Sequence, residues 1–197
     1  TRDDPNTARS GEVFYRFARR AWIGSFRKGL KAETEFRARG RATGIHPYVA
    51  YLAGSAGALI LALFIAGLPG LLVWVLLSLH VQGQILLSDY VQHYGLQRSP
   101  RPDGRPEPVG LAHSWNAPHW FSALVMLNAP RHSDHHANPA RPFPALRLPA
   151  PEAAPTLPWP LPVACAIALV PGLWRRAIRP HLARWRTPAA AAQDTRP

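Results

Sequence analysis

The sequence predicts an all-α integral-membrane protein, and three observations carry that prediction. Residues 42–88 hold no Asp, Glu, Lys or Arg. Within that block, Pro47 to Leu87 is almost wholly apolar, which is too long for one crossing of a hydrocarbon core that takes about 20 helical residues. The basic residues lie on its two flanks: residues 1–41 carry 11 Lys/Arg against 5 Asp/Glu, and residues 89–197 carry 12 against 6, so each flank contributes +6 to the net +12. Membrane topology gives such a basic–neutral–basic layout. Nucleic-acid binding would instead interleave bases and aromatics on one surface, so no nucleic-acid partner is expected.

Gly67-Leu68-Pro69-Gly70 is a turn signal inside the apolar block. It divides the block into two transmembrane helices at roughly 48–66 and 70–90, joined as a hairpin. Lys and Arg outside both ends and none in the turn place both flanks in the cytoplasm, as in a bacterial inner membrane. A helical hairpin satisfies its backbone hydrogen bonds internally, as lipid demands.

Before the hairpin, residues 12–38 read as a basic amphipathic helix. Val13, Phe14, Phe17, Ala21, Trp22, Phe26 and Leu30 recur at spacings of three and four among arginines and lysines. Such a helix suits either the membrane interface or a seat on the protein's own core. After the hairpin, the second span turns polar at Gln82, Gln84, Ser88, Asp89, Gln92 and His93, and polar groups near a membrane-helix end face a cavity or protein interior. Residues 97–110 read as a loop, 114–137 as helical, and the proline-rich stretch 139–162 as irregular. Val163–Leu169 is too short to span. Residues 187–197 read as a disordered tail. Cys165, the single cysteine, rules out an intrachain disulfide and reads as packing in an apolar run.

Histidine placement carries the chemistry. Arg131-His132-Ser133-Asp134-His135-His136 puts three imidazoles at i, i+3 and i+4, which is one face of a helix. Neutral imidazole binds iron, zinc and copper. Asp134 is a candidate acceptor for a ligand ring, with Arg131 as its pairing cation. His93 follows the second span and joins the ligand candidates. His113 and His119 flank Ser114-Trp115-Asn116 and read as supporting residues, while His46, His80 and His181 read as structural. Ligand type leaves the metal open: a zinc hydrolase or a structural site uses the same side chains. The number of histidines, the scarcity of thiolates and the apolar setting favour iron and a lipophilic substrate.

RHSDHHANPARPFPALR, residues 131–147, resembles the third histidine box of the membrane alkane 1-monooxygenases, QRHSDHHxxPxRxYQxLR. Tyr90 to Leu96, YVQHYGL, resembles that family's NYxEHYGL motif, which separates it from related desaturases. His113-Ser114-Trp115-Asn116 matches its HSWN, and Asp4 to Glu12 resembles the segment after its second box. The resemblance covers residues 1 to about 186. Gln92 stands where the family usually has Glu, Asp89 where it has Asn, Ala129-Pro130 where it has Leu-Gln, and Phe143-Pro144 where it has Tyr-Gln.

The resemblance implies the C-terminal portion (1–186) of a six-helix, fatty-acid-desaturase-like membrane domain with a cytoplasmic diiron centre. It implies His93, His132, His135 and His136 as iron ligands. Asp134, Arg131, His113 and Asn116 would support the site without binding metal. The implied reaction is O₂-dependent hydroxylation of terminal C–H bonds of alkanes or similar lipophilic chains. Substrate would enter from the bilayer, and electrons from rubredoxin or ferredoxin. The family's HExxHK and EHxxGHH boxes do not occur here and would precede Thr1. The chain starts at Thr1 with Met126 as its only methionine, so it is expected to be a fragment, inactive alone. The alternatives are a membrane fatty-acid desaturase or hydroxylase and a non-catalytic degenerate homologue.

Overall fold

The structure is a computed structural model that describes residues 4–185; the tail expected at 187–197 lies outside the described residues. Regular structure among them is helical: α1 (Phe14–Ala38), α2 (Pro47–His93), α3 (Trp120–Val125), α4 (His132–Ala137), α5 (Leu161–Ala168) and α6 (Pro171–Ala183). Single 3-10 turns occupy Leu111–His113 and Phe143–Ala145. No β-strand occurs among the described residues, only two isolated bridges, Pro100 with Pro106 and Asn116 with Thr156.

The chain divides into two compact units, residues 20–86 and residues 4–19 with 87–185. In the first, the side chain of Arg37, in the last turn of α1, donates to the carbonyls of Gly44 and Ile45 at 2.8 and 3.0 Å. Its Nε stays paired with Glu33 at 2.8 Å. Tyr48 at the start of α2 donates to the Phe26 carbonyl and stacks edge-on against the Phe26 ring. The α2 helix is long and apolar enough to cross a membrane. Its bulky side chains, such as Phe64, Ile65 and Leu68, are bare within the chain, an arrangement that costs little only in an apolar solvent. The helical backbone breaks at Ala66 and at Gly67, whose φ of 62° and ψ of −153° suit glycine alone. Pro69 follows, without an amide to donate. Ala50, Gly54 and Ala58 on one side of the break, and Trp74, Ser78 and Leu79 on the other, line one groove of ≈ 660 Å³.

The second unit has an aromatic core. Tyr90 and Tyr94, one turn apart on and just past the end of α2, pack together at 5.2 Å. Phe17 closes on Tyr90 at 5.4 Å and Trp174 on Tyr94 at 5.4 Å. The Tyr90 hydroxyl donates to the Glu12 carbonyl at 2.6 Å, so the polar tip of a buried ring is satisfied. Trp174, Ile178 and Leu182 recur every fourth residue on α6 and are buried together, which is the inward stripe of an amphipathic helix.

Gly95 follows from this packing. Its φ is +72°, its amide donates to Ala8 O at 3.0 Å, and a Cβ there would lie 2.6 Å from Leu182 Cδ2. Left-handed geometry and a close neighbour both exclude a side chain. Gly95→Ala is therefore expected to destabilise the fold by about 3 kcal/mol, read as a lower unfolding midpoint in detergent.

The helix expected across 114–137 is corrected. Two six-residue helices, α3 and α4, are separated by Leu127 and Asn128 in the left-handed region (φ 50° and 59°). Pro118 and Pro130 cannot donate to a continuous helical ladder, and residues 114–117 run extended. Asn116 N donates to Pro155 O and Leu157 N to Asn116 O, at 2.9 and 2.7 Å. These partners lie about forty residues away in sequence, beyond any local pattern. The reading of 139–162 as irregular agrees with the chain up to Leu161, where α5 opens with Pro162 in its first turn.

Candidate metal centre

The centre is assembled by three segments of the second unit: the end of α2, the extended strip 114–117, and α4. His93 closes α2 and hydrogen-bonds through Nδ1 to the Asp89 carbonyl, one turn earlier, at 3.0 Å. A carbonyl only accepts, so the ring carries its proton on Nδ1 and presents an unprotonated Nε2. His132 and His136, four apart on α4, project from one face. The three Nε2 atoms converge: His93 to His136 at 3.0 Å, His93 to His132 at 3.1 Å and His132 to His136 at 3.0 Å. These three are the set brought within metal-binding reach among the described residues.

Burial lowers the pKa of His132 well below the ordinary imidazole value, and the neighbouring rings of His93, His136 and His135 add to it. Burial and then His135 lower His136 in the same direction. Both rings are therefore held neutral, the form that binds metal. Three convergent lone-pair donors with at most one ring proton each make a poor hydrogen-bonded set and a good cation site. Nitrogens about 2.1 Å from one ion lie about 3.0 Å apart at right angles and about 3.4 Å apart in a tetrahedron. The observed spacing matches the right-angled, facial arrangement.

His135 stands apart. Its ring is exposed, with centroids 6.2 Å from His132 and 5.6 Å from His136. It shares α4 with His132 and His136 and is not part of the convergent set.

Asp134 and Arg131 are placed differently from their expected roles. Asp134 is buried and accepts from Arg141 Nη1 at 2.5 and 2.6 Å, from Arg147 N at 2.7 Å and from Asn138 Nδ2 at 2.9 Å. Burial by itself would raise this carboxyl, but the Arg147 amide, Arg141 and Asn138 outweigh it and hold it below its usual value. Its cation is Arg141 rather than Arg131, whose guanidinium donates to the Leu146 carbonyl. Asp134 thus clamps the loop after α4 instead of orienting a ligand ring, because at the third residue of so short a helix it faces the returning segment 138–147. His113 accepts from Gly110 N through Nδ1 at 2.8 Å and donates from Nε2 to Glu107 at 3.1 Å. It also shares the lining of a ≈ 90 Å³ cavity with His93 and His136.

Asn116 and its neighbours form the bracket of the site. Asn116 Nδ2 donates to Ser133 Oγ at 2.7 Å, and Ser133 N donates back to Asn116 Oδ1 at 3.1 Å. Ser133 Oγ donates in turn to Ser114 O at 2.8 Å. Between them, Trp115 N donates to Gln92 O at 2.7 Å and Trp115 Nε1 to Tyr94 O at 2.9 Å. One strip therefore ties the first turn of α4 to the residues on either side of His93. Sequence reading singled out Asn116 but neither Trp115 nor Ser133; their signal was adjacency to histidines within a motif, with no indication of what they bind.

The fatty acid desaturase family matches over residues 1–167 of the chain. The chain belongs to the fatty acid desaturase family. Within it, the chain is similar to alkane 1-monooxygenases of Pseudomonas putida and Ectopseudomonas oleovorans, each 35% identical over 192 residues. It is also similar to alkane 1-monooxygenase 1 of Alcanivorax borkumensis, at 32% over 192 residues. Each alignment takes in 92% of this chain and 45 to 46% of the relative. The chain thus spans about half the length of the curated relatives it matches. A fatty acid desaturase-family chain with a convergent histidine triad, next to a helix able to cross a membrane, is the setting for the functional reading below.

Proposed function

We propose that the complete protein is a membrane diiron monooxygenase that hydroxylates terminal C–H bonds of alkanes or similar lipophilic chains. The observation that carries the reading is the convergence of His93, His132 and His136 Nε2 at 3.0–3.1 Å, in a chain similar to alkane 1-monooxygenases. His93, His132 and His136 would hold one iron. His135, on the same helix with a separate outlook, would serve the other, and the ligands still wanting would come from outside this chain. Two irons would supply the activation of O₂; with two electrons and two protons, one oxygen atom enters the C–H bond and the other leaves as water.

This chain's residues would set the ligand positions. Asp89 O fixes the His93 tautomer, the 114–117 strip holds α4, and burial keeps the rings neutral. The break at Ala66 and Gly67, together with the groove shared by residues 50–59 and 74–79, supports a hairpin of two spans, roughly 48–66 and 70–90, within a six-helix domain. The basic flanks support cytoplasmic ends in an inner membrane, and substrate would enter from the bilayer. An acidic rubredoxin or ferredoxin would deliver electrons, steered by the basic surface; turnover with the reduced donor is then expected to fall steeply as salt rises, and a flat salt profile would remove that role.

The family match also favours a second reading, a fatty-acid desaturase or hydroxylase. The test is iron content and product analysis on the complete protein. About two irons per chain and a primary alcohol from an alkane support hydroxylation, and an alkene from an acyl chain supports the second reading. Absence of iron would leave a non-catalytic homologue.

A further inference from the structure

The basic amphipathic helix α1 places its apolar residues in two different settings. Phe14 and Phe17, in the part that belongs to the second unit, are buried. In the part that belongs to the first unit, Trp22, Ile23, Phe26 and Leu30 are 37–52% exposed. Their spacing puts them on one side of the helix. A continuous bare apolar stripe marks a surface that something covers.

Position, charge and shape together say what covers it. Tyr48, the second residue of α2, donates to the Phe26 carbonyl at 3.2 Å, and its ring meets those of Phe26 and Tyr51 at 5.1 and 5.7 Å. The stripe therefore lies beside the first turn of the helix that is long and apolar enough to cross a membrane. A bilayer passes from hydrocarbon to headgroups at that level, and Trp and Tyr collect there. Arg27 and Lys28 beside the stripe are exposed and form no ion pair among the described residues. Trp22, Ile23, Phe26 and Arg27 line one open groove. Three apolar walls and one guanidinium suit a molecule with an acyl body and a phosphate. A protein partner would have to bring an apolar face and acids to the bilayer edge, where lipid already supplies both.

We propose that the Trp22–Leu30 face of α1 is an interfacial seat for anionic phospholipid. The stripe rests at the acyl boundary, and Arg27 and Lys28 meet headgroup phosphates. The seat fixes the depth at which α2 enters the bilayer. It rests on α2 crossing a membrane and is independent of the metal centre.

The test uses the complete protein in phosphatidylcholine vesicles containing phosphatidylglycerol, on a background without other reactive cysteines. Nitroxide labels are placed singly at Trp22→Cys, Phe26→Cys and, as a control within the apolar block, Phe64→Cys. Collisions with oxygen, which concentrates in hydrocarbon, are compared with collisions with a water-soluble nickel chelate. The labels at Trp22 and Phe26 are expected to meet oxygen more often than chelate. Labels there that meet neither are covered by protein and overturn the proposal, as do labels that meet the chelate freely. A Phe64 label open to the chelate strikes the membrane reading of α2 instead. The headgroup contacts are read with spin-labelled lipids. Phosphatidylglycerol is expected to associate several-fold more strongly than phosphatidylcholine, and Arg27→Gln/Lys28→Gln to lower that preference several-fold. An unchanged preference in that variant overturns the phosphate contacts.

Discussion

His136→Ala in the complete protein is expected to lose bound iron and to cut alkane hydroxylation at least about 100-fold, since removal of residues that merely support a metal ligand already costs 10–100-fold. The Nε2 of His136 lies 3.0 Å from both His93 and His132, so its loss leaves two donors where three converged. His135→Ala, outside that triangle, is expected to leave the His93 site filled and to lower total iron by no more than half. The measurement is metal content per chain beside product yield; equal iron in His136→Ala and wild type would remove the triad from the mechanism.

The same rings give the metal-free protein a pH signature. His132 and His136 are held below the ordinary imidazole value by burial and by neighbouring rings. As pH falls through about 6.5, the unfolded chain takes up protons that the folded rings refuse, and stability is lost. Metal-free protein should therefore melt at lower temperature at pH 5.5 than at pH 7.5, and His136→Ala should narrow that difference. Asp134 acts in another window: its carboxyl is held low, so its contribution is complete above the ordinary carboxylate pKa, about 4, and is lost progressively as pH falls below it.

Trp115→Ala is expected to destabilise the second unit by about 4 kcal/mol, the usual cost of deleting a buried indole. Trp115 is fully buried, and its indole N–H is the partner of Tyr94 O at 2.9 Å. The effect should reach the metal centre, because this residue joins the end of α2 to the strip that grips Ser133. Iron affinity should fall in the folded fraction as well as the fraction folded. Trp115→Phe keeps most of the volume and loses the donor, so it should recover most of the stability but only part of the metal affinity. Identical metal affinity in the folded fractions of all three proteins would show that the strip contributes stability alone.

What could be read from the sequence was whatever depends on local pattern. The apolar block, its break beside Gly67 and the three-and-four spacing of Phe14, Phe17 and Ala21 each follow from side-chain character and helical period: α1 covers the amphipathic stretch, and α2 covers the apolar block with its helical backbone interrupted at Ala66 and Gly67. The spacing of His132 and His136 identified their common face. What escaped depends on long-range partners. Asn116 pairs with residues 155–157, Asp134 takes Arg141 instead of Arg131, and Leu127 and Asn128 turn left-handed between two short helices. Gly95 was legible as part of a motif, but the reason for it, the Leu182 side chain of α6, lies 87 positions away.

Six residues of α4 fall well short of the length at which a helix persists by itself in water. Its shape is imposed from outside, by Asn116 and Ser114 at its first turn and by the loop that Asp134 gathers behind it. The histidine signature is accordingly not a portable cassette. Grafted onto a generic helical scaffold, or excised as a synthetic peptide, RHSDHH would carry the donors without the template that aims them, and would chelate weakly and without preference. Any attempt to engineer this centre elsewhere must transplant the strip and the end of α2 along with the box.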